Sequence, residues 1–233
     1  MLKTIVILAL LTFASAILEI PHEHLKEEVL RAAFPINEAA VGKCTNDLQF
    51  NMCQAQFDED LGINNLLNWR NSTFLNVRIR LMLMVPDIQS FLKVCHARQN
   101  FYSCMGALYD GCINRYSLLQ RSEANWGNVI PYIQLWEHLD FICNAGFEIF
   151  QQNSDCNYRI EVQFEAELKK CRSTFEKEID SNPGDLCRVA SKFSSCNQGI
   201  YGHNCGKDMG WFACEDTRVG FARDCLEFKC NVV

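Results

Sequence analysis

The residues with the most evident chemistry in this sequence are its fourteen cysteines, which could act as nucleophiles, ligate zinc or form disulfide bonds. A nucleophilic thiol must stay reduced, and no zinc-site spacing such as C-x2-C or H-E-x-x-H occurs. An even number of cysteines in an oxidising compartment instead indicates full pairing. The sequence therefore predicts seven disulfide bonds among Cys44, Cys53, Cys95, Cys104, Cys112, Cys143, Cys156, Cys171, Cys187, Cys196, Cys205, Cys214, Cys225 and Cys230.

The other residues that could do chemistry do not match the spacing of known functional motifs. A calcium-binding loop that begins at Asp58 would need glycine at its sixth position and glutamate at its twelfth, where this chain has Ile63 and Trp69. The esterase motif G-x-S-x-G does not occur. Among the five histidines only His22 and His24 are close in sequence, in what we expect to be a mobile N-terminal segment. We therefore predict no catalytic residue, no metal site and no cofactor.

The first sixteen residues have the pattern of a secretory signal peptide. Lys3 precedes an apolar run from Ile5 to Phe13, and Ala14-Ser15-Ala16 forms an A-x-A cleavage site. The run is shorter than the roughly 20 residues that span a bilayer, although a signal anchor is the competing interpretation. No later segment is apolar enough to cross a membrane. We therefore predict that residues 1–16 are removed and that the mature protein is secreted and extracellular.

The charge balance argues against two classes of partner. The net charge is −6 and the chain has no run rich in lysine and arginine, so neither nucleic acid nor an anionic membrane surface is an expected partner. Asn71-Ser72-Thr73 is an N-glycosylation sequon, which predicts a glycan at Asn71 of a secreted chain.

The stretch from Cys95 to Cys112 should organise the rest of the chain. On one α-helix, Cys95 and Cys104 would lie nine residues apart, about 180° around the axis and about 13 Å along it. They cannot bridge to each other, because a disulfide needs Cα atoms within about 7 Å. Each must reach a different neighbour, and Cys112 would point in a third direction, about 80° from Cys104. We expect this helix to be a hub.

Apolar residues recur at helical spacing along most of the chain, and strand patterns are scarce. An ambiguous stretch is Phe74 to Met84, whose residues alternate as in a strand, but Pro86 and the flanking helices favour a helix there. The fold class predicted is all-α: a disulfide-cross-linked bundle of about six to eight helices. Their expected ranges are about 25–34, 37–58, 74–84, 86–116, 129–151, 158–178, 184–203 and 207–229, with loops at 61–73 and 117–128.

The hub pattern recurs later in the chain. The first copy is Cys95-x5-Phe101-x-Ser103-Cys104-x4-Tyr109-x2-Cys112, and the second is Cys187-x5-Phe193-x-Ser195-Cys196-x4-Tyr201-x3-Cys205. Shorter echoes occur at Cys44-x5-Phe50-x2-Cys53 and Cys205-x5-Trp211-x2-Cys214. The aromatic residue in each copy is interpreted as a core residue beside the second cysteine. The pattern predicts a duplicated helical unit, as one continuous body or as two lobes.

The domain organisation follows from these patterns. We expect a signal peptide over residues 1–16, an N-terminal helical segment over 17–43 and a cysteine-rich helical domain over 44–230. The duplicated halves of this domain would lie at about 44–156 and 171–230.

The cysteine pattern resembles that of the secreted cysteine-rich helical domains common in nematodes, including the chondroitin proteoglycan 4 type. The likeness covers about residues 44 to 230 and lies in the C-x8-C pairs, the Cys95/Cys104/Cys112 cluster and the series Cys143, Cys156, Cys171. The resemblance implies an extracellular protein with structural disulfides and no known activity. Chondroitin attachment uses a Ser-Gly dipeptide, which this chain lacks, so a proteoglycan core is not expected.

The leading hypothesis for function is a secreted, non-catalytic binding or extracellular-matrix protein with an extracellular protein or glycan as partner. The alternative is an extracellular carrier of a lipid or other small apolar ligand, held in a cavity between helices. The apolar helix that contains Trp136, Phe147 and Phe150 would line that cavity, although core packing explains the same residues. An enzyme of unrecognised type and a signalling or immune protein are further alternatives.

Overall fold

A computed structural model describes residues 21–22, 24–36, 42–63 and 67–231. These residues form helices and turns, with no strand among them, which confirms the all-α prediction. The predicted signal peptide, residues 1–16, lies outside the described residues.

Twelve α-helices follow one another along the described chain. Eight of them have ten or more residues, so the prediction of about six to eight helices accounts for the long ones and misses the short ones. They are α1 (Glu27–Ala33), α2 (Asp47–Leu61), α3 (Ser72–Met84), α4 (Ile88–Met105), α5 (Tyr109–Cys112), α6 (Arg115–Leu119), α7 (Trp126–Cys143), α8 (Phe147–Gln152), α9 (Ser154–Gln163), α10 (Glu165–Ser181), α11 (Leu186–Cys205) and α12 (Lys207–Gly220), with 3₁₀ turns at Trp69–Asn71, Gly106–Leu108 and Pro183–Asp185.

Side-chain caps and glycines set several helix ends. The Asn46 Oδ1 accepts a hydrogen bond from the Gln49 N–H at 3.1 Å, so α2 begins at Asp47. Asp87 caps α4 by accepting bonds from the backbone N–H groups of residues 89 and 90. Gly62 ends α2 at φ 69°, a left-handed conformation that glycine adopts without steric cost.

The predicted hub helix over residues 86–116 is wrong in its extent. Helix α4 ends at Met105 because Gly106 takes φ 50°, and the chain turns before α5. Cys112 therefore lies on a separate short helix and not on a third side of α4. The outward disposition of Cys95 and Cys104 is confirmed, since they bond to different helices.

Other boundaries differ from the predictions in the same way. The helices predicted over 129–151 and 158–178 are each divided in two, because the chain turns at Gly146 and Phe164. The last helix ends at Gly220, so Cys225 and Phe228 lie in the irregular segment that follows and not on a helix face. The predicted start of the second helix at Asn37 lies outside the described residues, and α2 begins at Asp47. The Phe74–Met84 stretch is helical, as favoured.

Two clusters of buried apolar side chains form the core. The first is centred on Trp136 of α7, whose ring stacks on Phe101 of α4 at 3.9 Å and packs against Phe57 of α2 at 4.8 Å between ring centroids. The second includes Phe175 of α10 and Phe193 of α11. Helix α7 contributes to both clusters, because Trp126 and Ile130 face the second cluster whereas Val129 and the later buried residues of the helix face the first. The three repeat-pattern phenylalanines, Phe50, Phe101 and Phe193, are thus core residues as interpreted, whereas Trp211 is half-buried.

All fourteen cysteines are paired. The disulfides are Cys44–Cys112, Cys53–Cys104, Cys95–Cys143, Cys156–Cys205, Cys171–Cys196, Cys187–Cys225 and Cys214–Cys230. They fall into two sets that share no bond, one within residues 44–143 and one within residues 156–230. In the first set the six cysteines pair first to fifth, second to fourth and third to sixth. The second set has the same order once the additional Cys214–Cys230 bond is set aside.

The crossing of α11 and α12 provides a test of packing. A Cβ atom on Gly210 would lie 2.9 Å from the Gly202 Cα and 3.2 Å from the Gln198 carbonyl oxygen, both of which are backbone atoms and cannot rotate away. We predict that Gly210→Ala lowers the free energy of unfolding by about 1–3 kcal/mol. Gly199→Ala on the same helix pair, where no atom lies within 4 Å of the added methyl group, should instead raise it by about 0.5–1 kcal/mol. Urea unfolding of the two variants tests this, and equal effects would contradict the packing of this crossing.

Candidate functional site

A polar cleft of about 500 Å³ opens where α4 and α7 run side by side. Its walls carry charged, amide and phenol side chains rather than apolar ones. Helices α4 and α5, α7 with its C-cap and the turn after α12 supply them. The lining residues are Arg98, Gln99, Tyr102, Tyr109, Asp110, Glu137, Asp140, Asn144 and Arg223.

The helical period places these side chains in rows. Arg98 and Tyr102 are one turn apart on α4, and Glu137 and Asp140 are one turn apart on α7. Neighbouring rows on two packed helices therefore face the same cleft. Asn144, the C-cap of α7, extends its row and donates a hydrogen bond from Nδ2 to the Asp140 Oδ1 at 3.0 Å.

Two ion pairs cross the cleft. Arg98 of α4 binds the Asp140 carboxylate of α7, and the Arg223 guanidinium lies 2.6 Å from the Glu137 carboxylate. The Arg98 side chain is 8% exposed, whereas that of Asp140 is 56% exposed. The buried arginine therefore has its partner at the solvent edge, where the carboxylate keeps free lone pairs for another group.

Two tyrosines form the aromatic part of the cleft. Their ring centroids lie 5.0 Å apart in an edge-to-face arrangement, and the Arg98 guanidinium lies 5.1 Å from the centroid of Tyr102. Tyr102 is 45% exposed. Burial, and next the nearby Glu137 carboxylate, raise the pKa of Tyr109 far above its ordinary value. Its phenol therefore stays protonated and can donate a hydrogen bond.

Disulfides hold both sides of the cleft. Cys95 precedes Arg98 by three residues and Cys143 follows Asp140 by three, so the Cys95–Cys143 bond lies one helical turn from the Arg98–Asp140 pair. On the opposite side, Cys187–Cys225 fixes to α11 the turn that carries Arg223. The cysteines predicted to form disulfides thus position polar residues that carry no recognisable sequence motif.

A second concavity is apolar and lies between α10 and α11. It has a volume of about 400 Å³ and is floored by the Cys171–Cys196 disulfide with Phe175 and Phe193. Lys170 and Lys192 lie at its rim. The apolar residues proposed from sequence to line a cavity lie elsewhere: Trp136 and Phe150 are 0% and 1% exposed and are packed inside the first core cluster.

A buried histidine–aspartate pair was not found from the sequence, because its members are 78 residues apart. The His138 Nδ1 lies 2.9 Å from the Asp216 Oδ1. The His138 side chain is 3% exposed, and a Cβ atom on Gly220 would lie 2.7 Å from its Nε2. The ring is therefore enclosed by protein, which denies a substrate access to it, and the pair stabilises the packing of α7 on α12.

The expectation that His22 lies in a mobile N-terminal segment is wrong. Its side chain is 1% exposed and packs against Phe34 and Phe221. Burial, and next the nearby His138, lower the pKa of His22 to about 3. His24 is exposed.

The structure also bears on the predicted glycosylation site, on metal binding and on membrane spans. Asn71 is exposed at the start of α3, where a glycan has room. Within the described residues no group of three or more histidine, cysteine or acidic side chains is placed to hold a metal ion. None of the described helices is both long and apolar enough to cross a membrane.

A polar network inside the first core cluster is titratable. Tyr132 donates to the Gln54 Oε1 at 2.6 Å, and the Gln54 Nε2 donates to the Asp58 Oδ1 at 2.9 Å. The Asp58 Oδ2 has no hydrogen-bond partner among the described residues. Burial raises the pKa of Asp58 to about 7, against the opposing effect of the Gln54 hydrogen bond.

The raised pKa of Asp58 predicts a pH-dependent stability. The unfolded chain releases this proton near pH 4, whereas the folded protein retains it up to about pH 7. Between these values the unfolded state binds fewer protons, so stability falls as the pH rises. We predict that Asp58→Asn gains stability relative to the unmodified protein between pH 5 and pH 8, measured by urea unfolding. The exposed neighbour Glu59 supplies the control Glu59→Gln; parallel pH profiles for all three proteins would contradict the prediction.

Comparisons with known proteins found no match, whether with family models, with curated proteins or with solved structures. Conclusions about function therefore depend on the geometry and chemistry of this chain itself.

Proposed function

We propose that the protein is a secreted, non-catalytic binding protein, or matrix component, that recognises an extracellular protein or glycan through the polar cleft. The observation that carries the proposal is the Cys95–Cys143 bond one turn from the Arg98–Asp140 pair. A cleft fixed covalently beside its polar groups is preorganised, which reduces the entropy lost on binding.

The compartment follows from the cysteines and the N-terminal pattern. Seven disulfides persist only in an oxidising environment such as the outside of the cell, and residues 1–16 have the pattern of a signal peptide. These observations support secretion of the chain after removal of the signal.

The pairing of the cleft carboxylates favours binding over catalysis. A general acid or base must exchange its proton with a substrate at close range, but Asp140 and Glu137 are each already held in an ion pair with an arginine. No cysteine thiol, serine or histidine lines the cleft. The arrangement thus supplies fixed donors and acceptors without an activated nucleophile.

The apolar concavity between α10 and α11 supports the alternative function. Phe175 and Phe193 with the adjacent disulfide provide an apolar floor, and two lysines and two glutamates lie around it. This geometry fits a carrier of a small apolar ligand. Its position differs from the helix that the sequence suggested.

The two disulfide sets support an internal duplication. Six cysteines can pair in fifteen ways, yet both sets have the same order of pairing. The repeated pattern aligns Cys95, Cys104 and Cys112 with Cys187, Cys196 and Cys205, and their partners then correspond as well. On this assignment Cys156 belongs to the second copy, because it pairs with Cys205.

The cleft can be tested with immobilised extracellular matrix. We predict saturable binding of the protein, measured by biolayer interferometry, that Tyr102→Ala weakens by about 3- to 10-fold because an aromatic contact is lost. Tyr158 on α9 is equally exposed, at 45%, so Tyr158→Ala is the matched control and should leave binding unchanged. Absent binding, or equal losses in the two variants, would contradict a role for the cleft.

Native mass spectrometry of protein secreted from a eukaryotic host tests three statements together: that the chain is secreted, that Asn71 carries a glycan and that no small apolar ligand is bound. We predict, after enzymatic deglycosylation, the mass of Ile17–Val233 less fourteen hydrogens, and before it an added glycan mass that Asn71→Gln removes. A discrete additional mass released on denaturation would instead support the apolar-ligand carrier. Intracellular retention of full-length chain would contradict secretion.

A further inference from the structure

We infer that the polar cleft binds a neutral saccharide, as a short segment of an extracellular glycan. The inference rests on the proposed function, whose binding site it specifies by ligand chemistry.

The charges of the cleft argue against an anionic ligand. Two guanidinium groups face three carboxyl groups, so the cleft carries a small net negative charge and does not attract anions such as sulfated or phosphorylated glycans. Both arginines are already engaged, by Asp140 and Glu137. An anionic ligand would have to break these pairs and leave the acidic partners without their arginines, which is costly. A cationic ligand could pair only with Asp110, and Asp110→Asn tests that case.

The remaining hydrogen-bonding capacity suits hydroxyl groups. A carboxylate offers about four lone-pair sites and a guanidinium five N–H donors, and each ion pair uses only part of them. Every sugar hydroxyl is at once a donor and an acceptor, so it can bind a carboxylate oxygen or a guanidinium N–H without displacing the other partner. The amides of Gln99 and Asn144 add donors and acceptors at the same wall.

The exposed ring of Tyr102 supplies the apolar contact. Sugar rings present C–H groups on their faces, and these groups are attracted to the negative face of an aromatic ring. The Arg98 guanidinium lies over the Tyr102 ring, and the edge-to-face contact with Tyr109 fixes its orientation. The cleft volume of about 500 Å³ lies within the range of small-ligand sites, about 300–1,000 Å³, so a ligand of two or three sugar units is the expected size.

The decisive experiment is a ligand-observed NMR titration of the purified protein with defined probes. The neutral probes are cellotriose, mannotriose and the N-acetylglucosamine trimer; the charged comparators are a heparin hexasaccharide and the dipeptide Lys-Glu. We expect at least one neutral trisaccharide to bind with a Kd that changes less than about twofold between about 0.05 and 0.5 M NaCl, because salt screens only charged interactions.

Variants separate this ligand class from others. Tyr102→Ala should raise the Kd about 3- to 10-fold, while Tyr158→Ala leaves it unchanged. Asp110 makes no ion pair with any of the described residues, so Asp110→Asn removes a charge with little change in shape. This variant should change the Kd of a neutral sugar less than about threefold, but it should weaken the binding of a cationic ligand more strongly.

The outcomes distinguish this inference from the proposed function. If the heparin fragment or the dipeptide binds at the cleft and this binding is lost in Tyr102→Ala, the proposal of a neutral saccharide ligand is overturned, while the cleft remains a binding site. Matrix binding that survives periodate oxidation of glycans but is lost on proteolysis would also overturn the saccharide and indicate a protein partner. Matrix binding that does not depend on Tyr102 would overturn both.

Discussion

The structure depends on one geometrical constraint: two cysteines nine residues apart on a helix cannot bond to each other. Cys95 and Cys104 point to opposite sides of α4, and each can form a disulfide only with a cysteine on another helix. The bonds to Cys143 of α7 and Cys53 of α2 satisfy that constraint. The same bonds hold α2 and α7 against α4, so Phe57, Phe101 and Trp136 meet in the centre of the core.

This constraint explains what the sequence could and could not predict. Helical periodicity and the even set of cysteines were sufficient for the fold class, and spacing alone excluded a Cys95–Cys104 bond. The end of α4 was missed because Gly106 lies in an otherwise helical pattern, and its left-handed φ is visible only in the folded chain. The partners of each cysteine depend on how helices pack, which spacing does not determine.

The cleft was beyond sequence analysis for a related reason. Arg98, Asp140 and Arg223 come from three distant parts of the chain, and each alone has the appearance of an ordinary solvated charge. These residues become informative only when the fold brings them together. The Arg98 side chain is 8% exposed and needs a fixed partner, because an unpaired buried charge destabilises the fold by several kcal/mol. The only sequence signal is the i, i+4 spacing of Arg98 and Tyr102 on the hub helix, which is too common to be diagnostic.

The two disulfide sets share no covalent link other than the main chain, so packing must join them. Helix α7 does this, since it has buried side chains in both core clusters. Near the cleft, two ion pairs reinforce the junction: Arg115–Asp224 at 2.7 Å, with both side chains largely buried, and Arg223–Glu137. Arg223 belongs to the second set and the other cleft residues belong to the first. Each wall of the cleft is therefore fixed by a disulfide of its own set, whereas packing and the Arg223–Glu137 ion pair set the distance between the walls. The proposed ligand would contact both walls, so it would bind across a junction that no disulfide crosses.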